Sequence, residues 1–362
     1  MINCVYIHIP FCEKKCHYCS FCSFSLLKKK EIYLEALEKE IKKLYKNEQL
    51  KTIYFGGGTP SLLDSKDIEK ILNCFNYDSN TEITLELNPH NITFEKLKSL
   101  KNIGINRLSI GIQNFDDEIL KNIGRTHSCA EAFETLKNIK QIGFDNFSID
   151  LIYGLPNQTI KNWQKTLDIV LETNARHISL YGLKIEEGTY FSKYPPKNLP
   201  SQDKQALMYE IAIQKLSEKF EHYEFSNFAK NENYFSKHNL CYWQCENYYG
   251  FGLSASGYIE NKRYTNTFNF SEYIKNPTKK EYEILTTKEQ IEEEIFLGLR
   301  LTKGIDFNHI NQKFNTDINK IYEKEFEKYL SQKLMEKTQK GVKLTTKGIL
   351  LSNEILCDFI NC

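Results

Sequence analysis

Apolar residues in the first half of the chain fall into short runs separated by longer helical patterns. The β-rich runs lie at 3–8, 52–56, 82–87, 107–112, 146–152 and 177–183. Between them, segments 30–47, 65–75, 93–102, 129–142 and 160–173 carry apolar residues at three- and four-residue spacing. In the last, Trp163, Leu167, Val170 and Leu171 share one face. Strands alternating with helices predict parallel βα units. Several strands look continuously apolar at their centres, as expected where helices cover a sheet. Six such units predict an α/β fold, a partial (β/α)6 TIM-like barrel. A doubly wound open sheet is the alternative. No Gly-x-Gly-x-x-Gly turn follows the first strand, which weakens a dinucleotide-binding reading.

The pattern breaks after about residue 185. A helix at about 202–220 leads into an aromatic-rich segment with Gly250, Gly252 and Gly257 near its end. A charged helix starts near 287. In the tail, Tyr322, Phe326, Tyr329 and Leu330 form one apolar stripe, followed by a hairpin around Gly341 and a last helix. This predicts a core barrel over 1–200, a barrel-completing segment over 201–285, and a small helical, winged-helix-like domain over 286–362.

A chain of 362 residues with 41% hydrophobic and 26% charged residues can bury a full core without disulfides or a structural metal. Lys and Arg total 48 against 47 Asp and Glu, which argues against a protein held on nucleic acid by a broad basic surface. No membrane span and no export or transit pattern is visible, so the expected location is the cytoplasm, with at most peripheral membrane association. The cysteine count of 11 is odd and, in this setting, does not read as a disulfide scaffold. Cys12, Cys16, Cys19 and Cys22 crowd one stretch, and Cys241 and Cys245 form a looser pair. Cys4, Cys74, Cys129, Cys357 and Cys362 are scattered and read as buried packing.

The chemistry-bearing residues sit at corresponding places, at or just past the C-terminal ends of the strands. They are Cys12 to Cys19, Gly56-Gly57-Gly58-Thr59-Pro60, Glu86, Gln113, and Asp150 with Tyr153-Gly154-Leu155-Pro156. In a β/α barrel that face carries the active site. The spacing Cys12-x-x-x-Cys16-x-x-Cys19 puts three soft ligands on one loop, suited to an iron–sulfur cluster or zinc. A structural zinc site wants four ligands, and Cys22 and His17 are awkwardly near in sequence to supply the fourth. Three ligands on a four-iron cluster would leave one iron open to a substrate or cofactor.

This cysteine spacing after a first strand resembles the radical S-adenosylmethionine (SAM) family. IHIPFC, GGGTP, SIGIQ and DLIYGLP in that order resemble the branch that contains oxygen-independent coproporphyrinogen III oxidases and heme chaperones. The resemblance implies a 4Fe-4S cluster on Cys12, Cys16 and Cys19, with SAM on its open iron. It places Gly57, Gly58 and Thr59 beside SAM, with Glu86 accepting from a ribose or ammonium group, and Tyr6 and Tyr18 at cofactor-contact positions. Gln113, Arg125 and Asp150 match positions that hold a second SAM in the oxidases. His8 reads as a packed or capping histidine.

Two features divide the branch. The oxidases carry a further cysteine two residues after the third ligand. Here that position is Phe21, with Cys22 one residue late. The stretch His238-Asn239-Leu240-Cys241-Tyr242-Trp243 matches the His-Asn-x-x-Tyr-Trp motif of the heme chaperones, which implies heme at His238. Cys241 and Cys245 are alternative ligands, and Tyr242, Trp243, Tyr248 and Tyr249 could cover a porphyrin. The implied function is binding heme and delivering it to heme-requiring respiratory proteins, with no oxidase turnover and no nucleic-acid partner. An oxygen-independent coproporphyrinogen III oxidase, a radical-SAM methyltransferase and a nucleic-acid-binding C-terminal module are the rivals.

Overall fold

The computed structural model describes residues 2–90 and 92–360; Cys362 lies outside them. Six parallel strands run in sequential order: β1 (Cys4–Ile9), β2 (Thr52–Gly57), β3 (Glu82–Leu87), β4 (Arg107–Gln113), β5 (Phe147–Tyr153) and β6 (His177–Gly182). A doubly wound sheet would reverse its order at a switch point; this one does not, and it curls as an open barrel. The helices on its outside are α1 (Lys30–Leu44), α2 (Ser65–Leu72), α3 (Phe94–Asn102), the short α4 (Asp117–Asn122), α5 (Cys129–Ile142) and α6 (Ile160–Leu171).

Local chemistry sets these boundaries. Ser128 with Glu131, and Thr159 with Asn162, form reciprocal capping boxes at the starts of α5 and α6. Gly143, at φ 80°, ends α5 in the left-handed conformation. Trp163 is fully buried and its Nε1 donates to the Met208 carbonyl at 2.7 Å, fastening α6 to the helix beyond it.

The strands are not continuously apolar, and this corrects the sequence reading. Val5, Ile7, Ile53, Phe55, Ile83, Leu85, Leu108, Ile110, Ile149 and Ile178 pack into the core formed with the helices. The residues between them join a polar network: Tyr6 with His8, Tyr54 with Glu86, Ser109 and Ser148 with Asp150, and Ser148 with Ser179 and His177. Alternation of this kind has period two, so one face of each strand lines a polar interior.

The segment after the barrel extends the sheet at both edges. After α7 (Tyr190–Lys193) and α8 (Gln202–Leu216), the hairpin β7 (Glu221–Glu224) and β8 (Asn227–Ala229) adds antiparallel to β6. Helix α9 (Lys237–Trp243) follows. Then β9 (Tyr248–Phe251) pairs parallel with β1 and leads into the antiparallel β10 (Ser256–Ile259), β11 (Lys262–Asn266) and β12 (Lys280–Ile284).

The C-terminal region builds a second core around Ile295, Leu299, Tyr322, Phe326, Tyr329 and Phe359. Its helices surround a three-stranded antiparallel sheet of β13 (Ile305–Asp306), β14 (Met335–Lys337) and β15 (Gly341–Leu344), so the hairpin around Gly341 gains a third strand. Cys357 is exposed on the last helix rather than buried. Among the described residues, no helix is long and apolar enough to cross a membrane.

Candidate functional site

A cavity of about 480 Å³ opens at the C-terminal ends of the strands. Cys12, Cys16 and Cys19 line it, with Tyr18, Gly57, Gly58, Thr59, Glu86, Gln113, Arg125 and Asp150. Phe21 lines its mouth and is 64% exposed. The chain folds the cysteine loop by pairing its two ends: Cys12 N–H donates to the Phe24 carbonyl and Phe24 N–H to the Pro10 carbonyl. The far side of the loop is tied to the barrel rim, where His17 N–H donates to the Ile123 carbonyl and Phe191 N–H to the His17 carbonyl.

The three thiols are free. Thr59 Oγ1 donates to Cys12 Sγ at 3.6 Å, and an Arg125 guanidinium N–H donates to Cys16 Sγ at 3.5 Å. Burial pushes the Cys12 thiol up and the Cys19 thiol up to about 11. Without a metal the Cys12 and Cys19 thiols therefore stay protonated, and any ion they bind must displace their protons. His17 is not a fourth ligand in this arrangement: its Nδ1 lies 3.0 Å from the Asn122 carbonyl and its ring stacks on Tyr190. Cys22 packs against the core rather than lining the cavity, and its carbonyl accepts from His8 Nε2 at 2.8 Å. His8 is buried, with Nδ1 3.0 Å from Tyr6 Oη.

The GGGTP glycines are demanded by their neighbours. Gly57 has φ +110°, and a Cβ there would sit 2.5 Å from the His8 imidazole. A Cβ on Gly58 would lie 2.6 Å from the Phe11 carbonyl oxygen. The backbone can pass beneath the cysteine loop only where side chains are missing.

Glu86 accepts from Tyr54 Oη at 2.8 Å and from Gly57 N–H at 3.1 Å. Burial pushes its carboxyl up to about 7, against those two bonds. Asp150 accepts from Ser109 and Ser148 hydroxyls at 2.8 and 3.0 Å, and burial raises it too. Arg125 donates to Asn88 Oδ1 at 2.8 Å and to the Gly111 carbonyl. No carboxylate pairs with this guanidinium among the described residues. Gln113 stands at a bulge with φ 69°, and its buried Oε1 has no hydrogen-bond partner. Free thiols, an unbalanced cation and an orphaned acceptor around one cavity fit an anionic cluster with a polar ligand beside it.

Two expected site residues lie elsewhere. Tyr6 is inside the barrel, stacked on Tyr54 with ring centroids 6.1 Å apart. His238, on α9, is buried among these rings and stacks on Tyr54 at 4.9 Å. Its Nδ1 lies 2.8 Å from Thr52 Oγ1 and its Nε2 2.7 Å from Tyr242 Oη, so both ring nitrogens are engaged. Burial, with the Arg107 guanidinium, pushes its pKa down to about 3 and keeps it neutral. Nor do the nearby aromatics form one face. Tyr242 packs edge-on against Tyr248, Tyr249 donates to Glu48, and the Arg300 guanidinium lies 4.6 Å from the Trp243 ring centroid.

Sequence reasoning missed Asn88, Ser109, Ser148 and Tyr181, of which all but Ser148 line the cavity. The available signal was the alternation in EITLEL, RLSIGIQ and HISLYG, where every second residue faces the polar interior.

A parallel six-stranded open barrel with three free thiols over its C-terminal mouth defines a radical-SAM-type protein. Residues 6–170 match the Radical SAM superfamily and residues 285–351 the HemN C-terminal domain. The heme chaperone HemW of Bacillus subtilis is 39% identical, over 98% of each chain. HemW of Lactococcus lactis is 37% identical, over 99% of this chain and 97% of its own. The solved structure of coproporphyrinogen III oxidase (HemN) from Escherichia coli, a radical SAM enzyme, superimposes with a TM-score of 0.87 at 24% identity, covering 99% of this chain and 90% of that one. The chain belongs to the radical SAM superfamily, in the branch shared by HemW and the oxygen-independent coproporphyrinogen III oxidases.

Proposed function

We propose that this protein is a heme chaperone that carries a 4Fe-4S cluster on Cys12, Cys16 and Cys19, with SAM in the adjoining cavity, and passes heme to heme-requiring respiratory proteins in the cytoplasm. When bound, the cluster and SAM together supply reductive radical chemistry; the protein's own residues hold and shield them. Arg125 balances the charge of the thiolates. Gly57 and Gly58 let the end of β2 pack tightly beneath the cysteine loop, so that their backbone lines the cavity. Glu86, poised near neutrality by burial, takes up negative charge when an ammonium or hydroxyl group arrives. Gln113 offers a free acceptor to a second polar group.

The observation that carries the chaperone over the oxidase is Phe21. It stands exposed at the mouth, where the oxidases have a cysteine, while Cys22 packs against the core and cannot replace that thiol without a local rearrangement. The names of the HemW relatives support the same reading. Heme at His238 would require either the Thr52 or the Tyr242 bond to be exchanged for an iron bond, so we assign heme-bound His238 to a rearranged state of α9. Heme titration of cluster-loaded protein tests this. The expected result is about one heme per chain, with shifted absorption bands and weaker binding in His238→Ala. An unchanged spectrum and affinity in that variant would move the ligand elsewhere, and an absence of binding by the wild type would remove the chaperone reading.

A further inference from the structure

The opposite end of β1 from the cysteine loop carries a second cluster of ligating atoms. Cys4 opens the strand, Cys241 lies on α9, and Glu246 follows in the turn after that helix. Cys4 Sγ, Cys241 Sγ and a Glu246 carboxylate oxygen all lie within 4.8 Å of one another. Both cysteines are only 2% exposed, both are free thiols, and Cys241 Sγ donates to the Glu246 carbonyl at 4.0 Å. Three segments distant in sequence thus converge donor atoms on one point. The turn is built for it: Cys245 takes φ 49°, which folds the chain back so that Glu246 N–H donates to the Cys241 carbonyl at 2.9 Å.

We propose that Cys4, Cys241 and Glu246 form a binding site for a zinc-class divalent ion, separate from the cysteine loop. Two thiolates and one carboxylate make a donor set that zinc accepts and that calcium or magnesium, which want all-oxygen shells, do not. Zinc bonds of about 2.3 Å to sulfur and 2.0–2.2 Å to oxygen hold tetrahedral ligands roughly 3.4–3.8 Å apart, so closing the site needs shifts of about an ångström. Water completes the fourth position from the half-exposed Glu246 side. On binding, the two thiols release their protons to solvent. Two thiolates, one carboxylate and one divalent ion leave a net single negative charge. Lys51 Nζ, 3.8 Å from Glu246 Oε2, stands ready to offset it.

The surroundings give the site a consequence. Thr52 is the register partner of Cys4 across β1 and β2, and its Oγ1 lies 2.8 Å from His238 Nδ1, an arrangement that links the site to the imidazole. An ion here would pin α9 to β1, and with it the helix that presents His238.

The test uses cluster-loaded protein equilibrated anaerobically with zinc chloride, freed of excess by gel filtration and analysed for zinc and iron by mass spectrometry. The expected result is one zinc per chain beyond the cluster iron. Cys4→Ala and Cys241→Ala should lose that zinc while keeping the iron. Glu246→Gln, at a half-exposed position that tolerates the change, should weaken zinc by tenfold or more in competition with a chromophoric chelator. A wild type without the extra zinc would overturn the proposal. So would the same zinc content in the cysteine variants, or the same affinity in Glu246→Gln.

Discussion

The two ends of the barrel interior differ in what they leave unsatisfied. At the mouth, three thiols are free, Gln113 Oε1 is buried without a partner, and Arg125 has no carboxylate, all around one cavity. On the α9 side, His238 has both nitrogens engaged, its backbone N–H donates to Glu82, and its ring is stacked. Both regions carry family motifs, yet the mouth gathers its unmet valences around one cavity, whereas both ring nitrogens of His238 are already engaged. A ligand can enter there without dismantling the fold, whereas heme at His238 must first displace one of the two hydrogen bonds on its ring.

The sharpest way to break this contrast is to remove the mouth's ligands. Cys12→Ala, Cys16→Ala or Cys19→Ala should each lose most of the cluster iron and sulfide after anaerobic reconstitution. Cys22→Ala should retain them. A Cys22 variant as depleted as the others would put a fourth thiol in the site, against its packing on the core.

Gly57→Ala comes next. It adds a Cβ at φ +110° and 2.5 Å from His8, and strain and overpacking together should destabilise the protein by about 3 kcal/mol or more. Urea unfolding of cluster-free protein checks this, and a loss under about 1 kcal/mol would show that the loop beneath the cysteines yields.

Glu86 supplies a pH test. A carboxyl whose pKa is raised in the folded state contributes stability that is full below its unfolded value, near 4.3, and lost as pH rises through the folded value of about 7. Over that window wild type should lose about 3 kcal/mol relative to Glu86→Gln. Parallel unfolding curves from pH 4 to 8 measure the difference, and equal slopes would contradict the buried, poised carboxyl.

The smallest effect belongs to α9. Tyr242→Phe removes the partner of His238 Nε2 and should cost about 1 kcal/mol in stability. It should also tighten heme binding, because one nitrogen is then free. Weaker heme binding in this variant would make Tyr242 itself part of the heme site.

Much of this contrast was legible in the chain. The six strands and the helices between them follow from apolar spacing, and helix 129–142 has the predicted bounds. The cysteine loop, GGGTP, Glu86, Gln113 and Asp150 fall at strand ends, where a parallel barrel must gather them. What escaped depends on side-chain direction. Ser109, Ser148 and His177 read as ordinary strand residues until the curl of the sheet turns every second side chain inward. Helix 160–173 ends two residues early because Thr173 turns back to the Val170 carbonyl. The state of His238 was also hidden, since its partner Thr52 is 186 positions away. Cys4 and Cys241 gave no sign of meeting, because only the parallel pairing of β9 with β1 brings their segments together.

The central claim is that the mouth holds a radical-SAM-type site while the protein's task is to carry heme. One paired measurement tests it most directly. Cluster-loaded wild type is given coproporphyrinogen III, SAM and a reductant, while the same preparation is titrated with heme. The account predicts about one heme bound per chain and no protoporphyrinogen formation. Steady protoporphyrinogen formation over many turnovers would contradict it and make the protein an oxidase, despite Phe21 at the mouth.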